Sequence, residues 1–348
     1  MKIGFVVNQI ATEEEWYDTT LLTYTAVHKG HEVYIVGVGE LSYLEDGHMG
    51  LLAVKAPQTK SRNLDNYLKL FQDPKREKFF ITSKDLDALF LRNNPCEEIG
   101  DRSWAKTAGM IFGQIAMEKG VLVLNDPYAL MTSYNKMYFQ HFPEEVRPRT
   151  IISRDVEEIK DFFQKEKGKI VVKPLQGSGG KDVFLMDNST NLNQIVETIA
   201  RYGFVIAQEY LPAAKNGDTR VILVNGKILE VKGKPAIMQR VNKDGDIRSN
   251  VHVGGTPTKA QLTDTIKTLC AIVGPKLIRD GMFMAGIDIV GDKIMELNLD
   301  SPGGIVSMER LEKEKFSNEI ITAIERKIEF KRYYQGKLPN AFLATLDV

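Results

Sequence analysis

The chain has 348 residues, long enough for a large core and more than one compact unit. Its 46 Lys and Arg balance 46 Asp and Glu, without the basic excess of a general nucleic-acid binder, though a local basic site around a polyphosphate remains open. Its two cysteines, Cys96 and Cys270, have neither metal-ligand spacing nor a disulfide framework, and no run of about 20 apolar residues marks a membrane span.

The opening MKIGFVVNQIA is too short in its apolar part for a signal segment and reads as a buried strand over 2–7, consistent with a soluble cytoplasmic protein. A helix over 20–29, closed by Gly30, leads to a second strand over 32–38. This βαβ start predicts a parallel, Rossmann-like sheet. The turn at 8–15 lacks GxGxxG, which argues against nicotinamide or flavin. Residues 55–84 are polar and weakly patterned, and read as a connecting excursion. The strand over 88–92 ends at Arg92-Asn93-Asn94-Pro95, where open α/β sheets place ligands. A helix over 104–119 and a strand over 121–124 follow.

Asn125-Asp126-Pro127 marks a boundary, with Pro127 suited to a helix start. Lys136 follows on a predicted helix. Strands are expected at 149–153, 169–174, 184–186 and 205–211, with helices at 156–165 and 192–202. Short strands at 219–224 and 227–231 precede a charged loop at 241–250. Helices are predicted at 260–279 and 316–330, and the remaining tail shows no nameable chemistry.

Between the last two helices, residues 285–304 read AGIDIVGDKIMELNLDSPGG, two strands meeting at Gly291-Asp292. A three-residue turn would set Asp288 across from Glu296, with Asn298 on the same polar face and Met295, Leu297 and Leu299 on the apolar one. A two-residue turn would put the two carboxylates on opposite faces. Two carboxylates and an amide oxygen on one anchored face suit a hard cation such as Mg2+. The other reading is a hairpin with a solvated polar face. The following Ser301-Pro302-Gly303-Gly304 can turn backbone N–H groups toward a ligand, which favours the metal site.

Upstream, Lys173 ends a strand ahead of Gly177-Ser178-Gly179-Gly180, where glycines allow backbone N–H groups to approach phosphate. Leu175 and Asp182 depart from a Walker loop, and a plain hairpin turn is the alternative. The strand carrying Gln208-Glu209-Tyr210-Leu211 can offer main-chain hydrogen bonds to a purine edge, or be ordinary core. Asp218 and Arg220, then Arg240, Lys243, Arg248 and Asn250, add charges and amides around a loop ending in Gly254-Gly255. That loop could close over an anion, or could simply be solvated surface.

The order of these features (Lys136, Lys173 with its glycine loop, QEYLP, DTR, then the acidic hairpin) resembles the ATP-grasp ligases, and within them bacterial glutathione synthetases. The likeness covers roughly residues 1–330 and includes NDP near 125, YLPAAKNGDTR at 210–220 and GIDIVGDKIMELN at 286–298. It implies an α/β ATP-grasp fold preceded by a Rossmann-like N-terminal domain. The expected units are 1–124, a central subdomain 125–203, a C-terminal subdomain 204–330, and a tail 331–348.

The resemblance further implies that ATP phosphates meet Lys136 and Lys173 under a mobile flap at Gly177, Ser178, Gly179 and Gly180. Adenine lies at Gln208, Glu209, Tyr210 and Leu211, and the ribose near Asp218. Asp288, Glu296 and Asn298 would hold Mg2+, or Mn2+ in its place. Arg220, Arg240, Arg248 and Asn250 would line the acyl-phosphate and acceptor region, and Arg92, Ser301, Gly303 and Gly304 the substrate. The implied reaction joins a carboxylate to an amine through an acyl phosphate, as in making glutathione from γ-glutamylcysteine and glycine. The implied partners are small peptides or amino acids, without nucleic acid or membrane, and the resemblance points to a homo-oligomer.

The chain departs from the family at Asn93-Asn94-Pro95-Cys96, Thr256 and Asp300–Gly304, positions that border the donor and amine pockets. A ligase for another small peptide or amino-acid pair is therefore a second reading. An ATP-binding regulatory module without ligase activity is a third. Retention of both lysines and all three candidate metal ligands argues against the last.

Overall fold

The computed structural model describes residues 1–59, 63–177, 179–242 and 255–347. Ser178, Arg248, Asn250 and the loop tip at 243–246 lie outside them.

The first sheet holds β1 (Lys2–Val7), β2 (Glu32–Gly37), β3 (Leu41–Tyr43), β4 (Met49–Lys55), β5 (Lys78–Thr82), β6 (Ala88–Leu91) and β7 (Leu122–Leu124). Its order is β3-β4-β2-β1-β6-β7, with β5 beside β4; the strands from β2 to β7 pair in parallel. Continuous apolar runs such as Phe5–Val7 and Ala88–Leu91 are buried because helices cover both faces of a parallel sheet. These helices include α1 (Asp18–His28) and, later, α3 (Ala108–Glu118).

The excursion at 55–84 is corrected by the structure. It contains α2 (Leu64–Gln72), whose N-cap Asn63 accepts from Asn66 N–H and which buries Tyr67, Leu68 and Phe71. It also contains edge strand β5, where only Ile81 is buried. An edge strand with one covered side chain gives little alternation to read. The helix expected from 104 begins instead at Ala108; residues Gly100–Ala105 form a 3-10 turn, held by Arg102 on Glu98 at 2.7 Å.

The second sheet has order β10-β9-β11-β8, from β8 (Thr150–Ser153), β9 (Ile170–Pro174), β10 (Phe184–Met186) and β11 (Val205–Glu209). Before it stands α4 (Pro127–Ser133), with Asp126 as N-cap and Pro127 in the first turn. The sheet is backed by α5 (Val156–Lys165) and α6 (Leu192–Ala200). In α5, Ile159 and Phe163, four residues apart, face the small core that includes Ile170, Val172 and Val196. Lys136 does not lie on an α-helix but opens the 3-10 turn Lys136–His141.

The third sheet contains β12 (Asp218–Val224) and β13 (Lys227–Ile228). A two-stranded ribbon, β14 (Glu230–Val231) with β15 (Lys234–Pro235), precedes β16 (Ile237–Val241), β17 (Thr256–Lys259), β18 (Met284–Val290) and β19 (Lys293–Asn298). The sheet runs β17-β16-β12-β18-β19, with β13 on β12. The helix expected from 260 starts later, as α7 (Asp264–Arg279), because Thr263 caps Ile266 N–H. The chain closes through α8 (Ile305–Glu312), α9 (Phe316–Tyr333) and α10 (Asn340–Thr345). The tail is thus ordered: Asn340 bonds both the N–H and the carbonyl of Val123 at 2.9 Å.

Two contacts fix the first sheet to the third. Phe90 packs edge-on to Phe283 at 5.6 Å between ring centres. Asn125, 2% exposed, donates to the carbonyls of Met284 and Leu299 at 2.9 and 2.7 Å and accepts from Met284 N–H at 2.8 Å. The β18–β19 hairpin is thereby held at both its entry and its exit.

Candidate active site

The hairpin turn has two residues, since Val290 pairs with Lys293, the case in which the carboxylates were expected to separate. A bulge at Met295 supplies the missing residue. Ile289 pairs with Ile294, but Asp288 pairs with Glu296, so the two carboxylates oppose each other after all. Ile294 takes the buried position, while Met295, expected on the apolar face, lines the cleft.

The cleft has two chambers, both open to solvent. Both are walled by Lys136, Lys173, Gly177, Met295 and Glu296, so these residues mark the junction. One chamber runs past Val171, Val183, Tyr210, Leu211 and Asp218. The other runs past Asn94, Cys96, Tyr134, Asp300 and Ser301.

At the junction, Lys136 Nζ donates to the Gly177 carbonyl at 2.7 Å and stands 3.4 Å from Glu296. Lys173 is buried and donates to Gln208 Oε1 at 3.0 Å. Burial, and then the charge of Lys136, push the Lys173 ammonium down to about 8. Two crowded cations in a cleft form a site that a polyanion would relieve. Gly179 has positive φ and open space around its Cα, and Gly180 lines the first chamber.

Residues 208–211 divide in their roles. Gln208 holds Lys173 and, through its amide, Thr150 at 3.2 Å. The Glu209 carboxylate accepts from Arg149 N–H at 2.8 Å and pairs with the Arg149 guanidinium, so this side chain braces the strand. Tyr210 and Leu211 line the chamber, and Lys169 lies 4.4 Å from the Tyr210 ring centre.

The expected metal-holding residues come together, but their bonding is uneven. Both oxygens of Asp288 are engaged: Arg220 takes one through Nε and the other through Nη2 at 2.8 Å, and Arg240 reaches that second oxygen at 2.9 Å. Asn298 donates to it as well, at 3.2 Å. Burial alone would raise Asp288, but the two guanidiniums outweigh it and hold the carboxyl far below the usual range. Arg240 also forms a double hydrogen bond to Asp218, at 2.7 and 2.6 Å. Glu296, in contrast, faces the junction with Lys136 as its cation. Hard oxygen donors of this kind, with phosphate oxygens completing the shell, fit Mg2+.

Two of the arginines expected at the substrate and acyl-phosphate region, Arg92 and Arg220, are turned into the protein, while Arg240 lines the first chamber. Arg92 is 3% exposed and donates to the Pro302 carbonyl at 2.8 Å. Arg220 Nη1 donates to the Gly303 carbonyl at 2.8 Å. The carboxylate of Asp18 takes the N–H groups of Ile305 and Val306 at 2.9 and 3.1 Å, so the 302–306 loop is clamped from three sides. Of the expected substrate residues, Ser301 lines the second chamber, Gly303 adjoins open space, and Gly304 sits at φ +131° at the start of α8.

Sequence reasoning missed Tyr134, which follows α4 and carries no motif signal. It noted Asn94 at a strand end suited to ligands, and Asn94, Cys96 and Asp300 as departures from the family. Asp300 is half-buried at a chamber wall, and burial pushes its carboxyl up to about 7. Among the described residues no helix is long and apolar enough to cross a membrane.

Residues 1–130 match the N-terminal domain of prokaryotic glutathione synthetase, and residues 135–313 its ATP-grasp domain. Glutathione synthetase of Brucella melitensis is 32% identical over 317 residues, covering 90% of this chain and 94% of that protein. Glutathione synthetase of Synechococcus elongatus is 31% identical over 336 residues, covering 93% and 98%. Among solved structures, D-cycloserine synthetase DcsG superposes with a TM-score of 0.64 at 12% identity, covering 94% of this chain and all of that one. The ATP-grasp ligase PsnB with its minimal precursor gives 0.57 at 18%, covering 93% and 98%. At such identities the structural likenesses speak for the fold, which is ATP-grasp behind an N-terminal domain. With the two family matches and the sequence relatives, they establish that the chain belongs to the prokaryotic glutathione synthetase family and is an ATP-dependent ligase of that type.

Proposed function

We propose that the chain condenses γ-glutamylcysteine with glycine at the expense of ATP, with the nucleotide in the Tyr210–Leu211 chamber and the acid and amine in the Asn94–Asp300 chamber. The observation that carries this reading is the shared wall. Lys136, Lys173 and Glu296 belong to both chambers, so a γ-phosphate reaching the junction meets a carboxylate arriving from the other side. A substrate carboxylate oxygen attacks the γ-phosphorus and ADP leaves. The ammonium of the amine substrate gives up one proton to solvent, and its freed nitrogen attacks the acyl carbon of the resulting acyl phosphate. Inorganic phosphate leaves with the second proton released from nitrogen, and the amide remains.

Lys136 and Lys173 bind phosphate oxygens and offset the charge spread over the transferring group. The backbone at Glu209–Leu211 binds adenine, and Asp218 stands near the ribose. Glu296 and Asn298, with Asp288 behind them, would hold Mg2+ or Mn2+, which when bound neutralises phosphate charge. Arg220 and Arg240 act by fixing Asp288 and the 303 loop. Holding both reactants at one junction supplies the orientation that makes the transfer effectively unimolecular. A cytoplasmic location fits the ATP-dependent use of small, charged reactants.

The test is ADP and phosphate release with γ-glutamylcysteine, glycine and ATP-Mg2+, against reactions lacking one component. One ADP and one phosphate per amide are expected. Phosphate release that ignores both acid and amine would sink the reading, and turnover only with another acid–amine pair would reassign the substrates.

A further inference from the structure

Three of the carboxylates that line the cleft each have a cation. Asp218 has Arg240, Asp288 has Arg220 and Arg240, and Glu296 has Lys136. Asp300 has none among the described residues. Its carboxylate accepts from its own backbone N–H, so this bond fixes no neighbouring element. Asp18, by comparison, secures the start of α8, and Asp288 joins two strands to the 303 loop through Arg220.

A partly desolvated carboxylate that braces nothing carries a burial cost with no return within the fold. Such a group is suited to a ligand that brings the missing charge. Asp300 lies two residues beyond Asn298, on the wall of the second chamber. Asn94, Tyr134 and Ser301 add polar atoms on the same wall, while the lysines stand at the junction with the nucleotide chamber.

We propose that Asp300 anchors the ammonium group of the amine substrate, holding it on the chamber side of the junction opposite ATP. This rests on the ligase reading above. The acid substrate brings its carboxylate to the lysines, and the amine substrate brings its ammonium to Asp300. The two reacting groups are thus sorted by charge before the acyl phosphate forms. The carboxylate is a positioning and selecting group, and no bond to it forms or breaks.

The experiment compares wild type with Asp300→Asn and Asp300→Ala in phosphate release, varying each substrate in turn, with the acid–amine pair that wild type turns over best. Hydroxylamine, largely uncharged near neutral pH, serves as a second nucleophile. Loss of a charge-assisted contact in a partly dry site should raise the KM of the ammonium-bearing amine about tenfold or more, with smaller changes for ATP and the acid. Capture by hydroxylamine should fall much less than capture by the amine. The melting temperature should hold or rise, because an uncompensated charge has been removed, whereas a structural role would lower it. An unchanged amine KM, or equal loss with both nucleophiles, overturns the proposal. So does a fall in Mn2+ affinity, read by electron paramagnetic resonance alongside a raised ATP KM, which would make Asp300 a metal ligand. A wild type that releases phosphate with no acid–amine pair overturns the ligase reading itself, a result distinct from any difference between variants.

Discussion

At the scale of single residues, the cleft is governed by how its charges are paired. Asp288→Asn would leave Arg220 and Arg240 short of a buried counter-charge, and should cost on the order of 3–5 kcal/mol in urea unfolding. Loss of under 1 kcal/mol would show that the cluster is not a structural brace. The native carboxyl lies well below its unfolded value, so the native state holds fewer protons through acidic pH. The stabilisation is therefore present above about pH 4 and is lost as pH falls toward the native value. Lys173 titrates with the opposite consequence for binding. Its ammonium, pushed down to about 8 by burial, loses charge as pH rises through that value, so binding of ATP to the free enzyme should weaken there. Lys173→Arg should flatten this dependence and Lys173→Ala should weaken ATP binding by about tenfold or more at neutral pH, both readable by calorimetry. An ATP affinity indifferent to all three changes would remove Lys173 from the nucleotide site.

At the scale of elements, the hairpin carries the clearest lesson. Its polar residues were legible as a set, because Asp288, Glu296 and Asn298 sit among apolar residues in short alternating runs. What brings the carboxylates together was not legible. The two-residue turn at Gly291-Asp292 argued against their opposition, and one extra residue at Met295 restores it. Alternation cannot reveal a bulge whose extra residue is itself apolar. The same limit hid α2 and β5, one short and one half-covered, and it carried two predicted helices past the cap or turn where they begin. The arginines illustrate another gap: the resemblance grouped Arg92 with Ser301, Gly303 and Gly304 and put Arg220 in the acyl-phosphate region, but did not tell which way their guanidiniums point. Asn125 was readable only as a boundary, yet it bonds backbone groups of Met284 and Leu299 at once. Asn125→Ala should strand these buried groups and cost about 2–4 kcal/mol. A destabilisation below about 0.5 kcal/mol would mean that the hairpin is held by Phe90, Phe283 and its own ladder.

At the scale of the whole molecule, the cleft depends on keeping the first and third sheets in fixed relation, and the closing segment helps do so from the far side. Asn340 bonds the backbone of Val123 in β7 and the carboxylate of Asp126 at 2.9 Å. Thr345 donates to the Ile278 carbonyl in α7 at 3.1 Å, and Lys327 in α9 donates to the Leu346 carbonyl at 2.5 Å. Leu343 and Ala344 are buried, and the chain passes so near Gly281, at φ +72°, that a Cβ there would stand 2.8 Å from Ala341 Cα. This tail showed no chemistry in sequence because, apart from Lys327, the hydrogen-bond partners named here lie more than 60 residues away, which no local pattern records. Truncation after Gly336 would expose the surface under Leu343 and strand the Val123 backbone groups. Together these should cost on the order of 3–6 kcal/mol. It would also open Lys327 to water, whose ammonium burial now pushes down to about 7. The intact protein should therefore gain stability as pH rises from about 7 toward 10, since there the unfolded chain carries a proton on this lysine that the native state lacks. In the truncated protein that lysine's contribution to the rise should shrink. Neither chamber touches the tail, so ATP should still bind below the lowered melting temperature. A truncated chain that melts where the intact one does would mean that the two sheets hold each other without α10.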